Sequence, residues 1–159
     1  MSLDETILTS DLETNDNIVC NNNFYFVEKH ELIGSSAGSE VWKGFLVTPY
    51  DYQEIAIKVS NRNQESLSSL KKEARLAKFL KDHDGIGRIF AYDFDEDRKK
   101  GQILMEYILG KNLSDIINWH KRDSINLHLP QRLAAFIGFE CSKSLDYAHK
   151  KTVCNENGE

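Results

Sequence analysis

Three features of this sequence have the residue types and spacing for chemistry on an anion: a glycine–serine loop, a lysine in a strand pattern and an acid in a helical stripe. The loop is "LIGSSAGSEVWKG", Leu32 to Gly44. In it Ile33 and Gly34 precede Ser35, Ser36 and Ala37, and Gly38, Ser39 and Val41 follow. Small residues let the backbone come close to a ligand, and successive amide groups in such a turn can cradle phosphate oxygens. Lys58 stands in "QEIAIKVS" and Glu73 in "SLKKEARLAKFL". Leu67, Leu70, Ala74, Ala77 and Leu80 recur every three or four residues, and Glu73 falls inside their stripe, between Leu70 and Ala77. An unpaired charge on a buried face is costly. Taken singly, each feature has an ordinary explanation. The glycines fit a plain hairpin turn, Lys58 an exposed strand lysine, and Glu73 a solvated place at the edge of the stripe. Taken together, a Lys58–Glu73 pair explains both charges and holds the lysine where the loop would place phosphates.

The elements that must position these residues follow from periodicity and turn signals. "NFYFVEKHELIG", "EVWKGFLVT" and "QEIAIKVS" read as three strands, with Pro49 and Asp51 marking a turn. "NQESLSSLKKEARLAKFLKDHDG" reads as a helix capped by Asn63, with Gly85 after its end. "IGRIFAYDFDE" and "GQILMEYIL" read as two further strands. "KNLSDIINWHKR" is a short helix with Asn112 as N-cap and Asp115 at the third position. "LPQRLAAFIGFECSKSLDYAHKK" is a longer one, with Pro130 in its first turn and Leu133, Ile137, Cys141, Ser144 and Ala148 along one side. The expected class is α+β: a five-stranded antiparallel sheet with one packed helix, followed by two helices.

Bulk properties set limits. The chain has 159 residues and a net charge of -5, which argues against a general nucleic-acid binder. Its three cysteines, Cys20, Cys141 and Cys154, form no CxxC and imply neither a disulfide framework nor a zinc site. Reduced thiols in a cytoplasmic protein are expected, with Cys141 a small core residue. No apolar run is long enough to cross a membrane, and the N-terminus lacks the pattern of a secretory signal. Residues 1–22 read as a flexible acidic leader, with a short helix around Ile7 and Leu8 as the alternative for part of it.

With these residues in place, the chain resembles the protein kinases, of the bacterial serine/threonine type. The family's signature is a glycine-rich loop ending in valine, then V-A-I-K, then a helical glutamate. Here it reads "IGSSAGSEVWKG", "IAIK" and "KKEARLAKFL", with "GQILMEYILGKNLSDII" similar to the family's fifth strand, hinge and next helix. "CSKSLDYAHKK" is similar to the helix that runs up to the catalytic loop. The resemblance covers about Phe24 to Lys151 and implies a small lobe and hinge over 23–108 and part of the helical lobe over 109–159.

It further implies that Lys58 contacts the α and β phosphates of ATP and is held by Glu73. Ile33, Val41 and Ala56 would cover adenine, Met105 would stand at the back of the pocket, and the backbone of Glu106 and Ile108 would bond the adenine edge. In the loop, Gly34 is the first glycine, while Ser36 and Ser39 replace the second and third. "HKRD", His120 to Asp123, and "DFD", Asp93 to Asp95, mimic catalytic motifs in the wrong places and read as turn or helix-end residues. The family's H-R-D aspartate, the asparagine after it and the D-F-G aspartate that holds Mg2+ are not present. The match holds to Thr152, and Cys154 to Glu159 read as a polar insert shortly before the catalytic loop.

The expectation is therefore the ATP-binding portion of a kinase, acting on protein substrates when complete and catalytically incompetent as this chain. Apolar faces on its last helices would aggregate or take a partner. A pseudokinase-like binding or scaffold module is the alternative, and a small-molecule phosphotransferase of the wider superfamily a weaker one.

Overall fold

The computed structural model describes residues 15–20, 23–47, 52–123 and 129–151. The helix considered near Ile7 and Leu8, the Pro49–Asp51 turn and the segment from Cys154 lie outside them. In chain order the elements are β1 (Asn15–Cys20), β2 (Asn23–Ser35), β3 (Ser39–Val47), β4 (Tyr52–Ser60), α1 (Gln64–Leu80), β5 (Ile89–Asp95), β6 (Lys100–Glu106), α2 (Leu113–Asp123) and α3 (Gln131–Lys150). They fall into two compact units. One holds the residues up to Arg75 together with Ile89–Tyr107; the other holds Leu76–Arg88 and the residues from Ile108 onward.

The first unit is an antiparallel sheet in the order β1-β2-β3-β4-β6-β5. The expected five strands are there, and a sixth, β1, precedes them inside the segment read as a leader. That reading is corrected for residues 15–20. Asn15–Cys20 pairs with β2 along its length, from Asn15 opposite Glu28 to Cys20 opposite Asn23. Only its second half, Ile18–Cys20, carries a strand signal, and strand preference depends on the partner edge available. Here the start of β2 supplies one.

Alternation along the central strands builds a core on each face of the sheet. Ile55 and Ile57 of β4 pack with Val27, Leu46, Ala91 and Leu104 on one face. Ile103 of β6 packs on the other with Leu70 and Ala74 of α1, joined by Ile89, Tyr92, Phe94 and Met105. Helix α1 buries Ser66, Leu67, Leu70 and Ala74. Its start is capped as expected: Asn63 Oδ1 accepts the Ser66 amide at 2.8 Å. Gly101 clears the seat, because a Cβ there would come within 2.8 to 3.1 Å of Phe94, Leu67 and Leu70 side-chain atoms.

In the second unit, Asn112 Oδ1 accepts the Asp115 amide at 2.8 Å and caps α2. Helix α3 starts after Pro130, one residue later than the pattern suggested. Leu133, Ile137, Ser144 and Ala148 are half-buried, as is Tyr147, but α3 has no buried residue. Cys141 is exposed, so the expectation of a core cysteine is corrected. It lies at the edge of the half-buried stripe, away from the loop that α3 meets. That loop touches α3 through Ser144 Oγ, which donates to the Gly85 carbonyl at 3.4 Å, and through the His83 and Tyr147 rings, 4.8 Å apart. No helix among the described residues is long and apolar enough to cross a membrane.

Candidate functional site

Lys58 lies near the centre of the sheet, on β4, between Val41 of β3 and Ile103 of β6. It shares the α1-facing side with Ile103, so its side chain meets the helix. Its Nζ donates to Glu73 Oε2 at 2.6 Å. The pair was expected; its depth was not. The Lys58 side chain is 23% exposed and that of Glu73 44%, so the acid is not on the buried face. The buried residues Ser66, Leu67, Leu70 and Ala74 centre about 75° around the helix from Glu73, which puts Glu73 at the stripe's edge. A half-solvated pair adds little to stability, about 0–1 kcal/mol. Its effect is to fix where the ammonium sits.

The register gathers most of the other candidate residues around this pair. One row runs Val41, Lys58, Ile103, and the next runs Lys43, Ala56, Met105. Gly34 of β2 faces Val41 at the far end of the first row. Ala56 is buried, and Met105 packs beside the Ile103 cluster. Small and branched residues therefore border the ammonium. Ile33 is the extra residue in a β-bulge between Leu32 and Gly34, which turns its side chain outward, 44% exposed. Glu106 ends β6 opposite Ile55 and is exposed. Ile108 belongs to the second unit and is 69% exposed.

The glycine–serine loop is a tight hairpin tip between β2 and β3. The Ser36 amide donates to the Ser39 carbonyl at 2.8 Å. The Ser36 hydroxyl donates to the same carbonyl at 3.1 Å and accepts the amides of Gly38 at 3.4 Å and Ser39 at 3.2 Å. Ser39 Oγ is 3.3 Å from Ser36 Oγ. Neither Gly34 nor Gly38 has the positive φ that favours glycine, so serine fits this backbone without strain. From outside, Asn61 pins the tip: its Nδ2 donates to the Ala37 carbonyl at 2.6 Å and its amide to the Gly38 carbonyl at 3.0 Å.

Asn61 is a residue that sequence reasoning passed over. The signal is the polar run "SNRNQ" at the end of β4, in which the helix pattern picks out only the cap at Asn63. Lys43 was missed as well. Its ammonium is 2.8 Å from Glu54 Oε1 and 4.7 Å from the centre of the Tyr107 ring. The Glu54 carboxylate, with smaller help from Tyr107 and Glu31, holds Lys43 above the ordinary lysine value despite partial desolvation. Of the two mimic motifs, "HKRD" falls at a helix end as expected, whereas Asp93 to Asp95 are the last three residues of strand β5 and half-buried, which corrects their reading as turn residues. Asp95 closes β5 and its carboxylate accepts the Arg98 amide at 2.9 Å, and His120 to Asp123 form the last turn of α2. Among the described residues no cluster of His, Cys, Asp and Glu could hold a metal ion.

No protein-family model matches the chain, and no curated protein matches it.

Proposed function

We propose that the first unit binds ATP as the nucleotide-binding lobe of a serine/threonine-type protein kinase. The observation that carries this reading is the 2.6 Å Lys58–Glu73 pair, set in register beside Val41 and one row from Ala56 and Met105. Lys58 contacts the α and β phosphates and Glu73 orients it. Val41 and Ala56, with Ile33 from its bulge, offer a thin apolar cover for a planar base, and Met105 closes the inner end. The backbone of Glu106, at the end of β6, bonds the edge of the adenine. The residues of this face fit a nucleotide: one fixed cation, small side chains around it and a short loop rich in amide groups.

The described residues do not fit Mg2+, for want of a ligand cluster. Phosphoryl transfer rests on positioning and charge stabilisation, with an aspartate to accept the proton of the attacking hydroxyl. No H-R-D or D-F-G stands in the 159 residues to supply those groups. The chain alone thus binds nucleotide without transferring phosphate to protein hydroxyls, and a cytoplasmic location goes with this reading.

Thermal unfolding with and without Mg-ATP tests it, on the natural chain and on Lys58→Met and Glu73→Gln. Ligand at 100 times its dissociation constant adds about 2.7 kcal/mol of stability. The natural chain is expected to gain stability, Lys58→Met to gain little, and Glu73→Gln an intermediate amount. Equal gains in all three would remove the pair from the site, and no gain by the natural chain, shared by Ser36→Ala, would remove the site.

A second reading, a binding or scaffold module, is favoured by one observation. In the second unit Trp119, Phe136, Phe139 and Leu145 are each more than half exposed. Of these, Phe136 and Phe139 stand three apart on α3 and neighbour one another, an exposed aromatic pair of the kind that marks an interaction surface. A stable monomer at high concentration with no co-purifying protein would count against it.

A further inference from the structure

We infer that the Ser36 hydroxyl is a built-in competitor for the phosphates of a nucleoside triphosphate and sets the affinity of the loop for them. The inference rests on the nucleotide reading of the first unit and concerns the same site.

A hydroxyl has one proton to donate and two lone pairs to accept with. Ser36 Oγ uses all three inside the loop, on the Ser39 carbonyl and on the amides of Gly38 and Ser39. Those two amides are the successive N–H groups of the turn that an anion would take. In this structure they are turned onto a neutral oxygen of the loop itself. Asn61 holds the Ala37 and Gly38 carbonyls from the other side, so the tip cannot swing away as a whole to expose a second set of amides. A phosphate must therefore displace the Ser36 hydroxyl, which happens by rotation about one side-chain bond.

An anionic acceptor makes the stronger bond to an amide, so displacement is favourable once phosphate arrives. The cost shows as reduced affinity, because only the fraction of loops with the hydroxyl turned out is competent to bind. A glycine at this position, the residue the kinase pattern expects, carries no such competitor. Serine here is thus a tuning residue, not only a mild replacement. Ser36 acts through the loop amides and is a positioning residue. Its exposure means that replacing it removes no core contact.

The test is a titration of the full chain with Mg-ATP, read as dissociation constants, for the natural protein and for Ser36→Ala, Ser36→Thr and Lys58→Met. Circular dichroism first establishes that each variant is folded, and Ser36→Gly serves in place of Ser36→Ala if that one is not. Loss of about one net hydrogen bond from the closed loop predicts roughly tenfold tighter binding by Ser36→Ala. Ser36→Thr keeps the hydroxyl and is expected to bind as the natural chain does, while Lys58→Met binds more weakly. Binding by Ser36→Ala with none by the natural chain would support the inference most strongly. Unchanged or weaker binding by Ser36→Ala, with Lys58→Met still impaired, would overturn the inference and leave the nucleotide reading standing. No binding by either the natural chain or Ser36→Ala would overturn both.

Discussion

Two glycines ten positions apart do different work, and the difference is measurable. A Cβ on Gly44 would sit 2.2 Å from the Glu28 carbonyl oxygen and 2.6 Å from Ile57 Cδ1. The first neighbour is backbone in the paired strand β2 and cannot yield. On Gly34 the nearest atom to an added Cβ is Val41 Cβ at 3.8 Å, an ordinary contact, and φ is not positive. Gly44→Ala is therefore expected to destabilise the chain by at least the 1–3 kcal/mol typical of overpacking, roughly. Gly34→Ala is expected to leave stability unchanged or raise it by about 0.4–1 kcal/mol through the unfolded state. Urea unfolding curves check both. Equal losses at the two positions would mean that the loop needs its first glycine for conformation, against the geometry seen here. The sequence carried no sign of this difference. Gly44 read as the end of a loop motif, and only the neighbouring strands reveal why a side chain cannot stand there. Ser36 is the same case: its residue type was plain, and the two amides it holds were not.

At the scale of the element, what was legible in the sequence is what the chain decides locally. Strand alternation in "QEIAIKVS", the caps at Asn63 and Asn112, and the pairing of Lys58 with Glu73 all follow from neighbours a few residues away or from one complementary charge. What was not legible depends on partners. Strand β1 exists because the edge of β2 is there to pair with. Glu73 is half-solvated because α1 buries a narrower stripe than its apolar spacing suggested, with Ala77 and Leu80 only half-buried. Cys141 lies on an apolar stripe that no neighbouring element covers fully. The cap on α1 offers a direct test of local control. Asn63 Oδ1 satisfies the Ser66 amide, and the Asn63 carbonyl accepts the Leu67 amide at 3.1 Å. Asn63→Ala removes only the side-chain bond and is expected to cost about 1 kcal/mol, whereas Asn63→Asp, another good cap, should cost far less. Leu70→Ala removes a buried anchor of the same helix and is expected to cost about 2–5 kcal/mol. If the cap variant proved as damaging as the core variant, Asn63 would have a further role, and the Asn61 clamp on the glycine–serine loop next to it would be the place to look.

For the molecule as a whole, the two units differ in how much they bury, and that difference should set their dynamics. In the first unit Val27, Ile55, Ile57, Ile103 and Leu104 are fully buried, and a buried cluster lies on each face of the sheet. In the second, α3 has no buried residue, and Phe136, Phe139 and Leu145 are each 58% exposed or more. Helical stability in proteins comes mainly from packing an apolar face, and a helix with half-buried contacts gains little of it. Local opening free energies range from near zero to the global value, and elements with few buried contacts lie at the low end. Native-state hydrogen exchange should therefore show the amides of β4 and β6 opening only with global unfolding. Those of α3 should exchange through local opening, with protection that does not track global stability. The Leu70→Ala variant sharpens the comparison. It should lower protection in β4 and β6 by the full loss in stability and leave exchange in α3 unchanged. Protection of α3 equal to that of β4 would overturn the argument. Protection of α3 that rises with protein concentration would instead identify its exposed aromatic side chains as an association surface, and would favour the binding-module reading of the second unit.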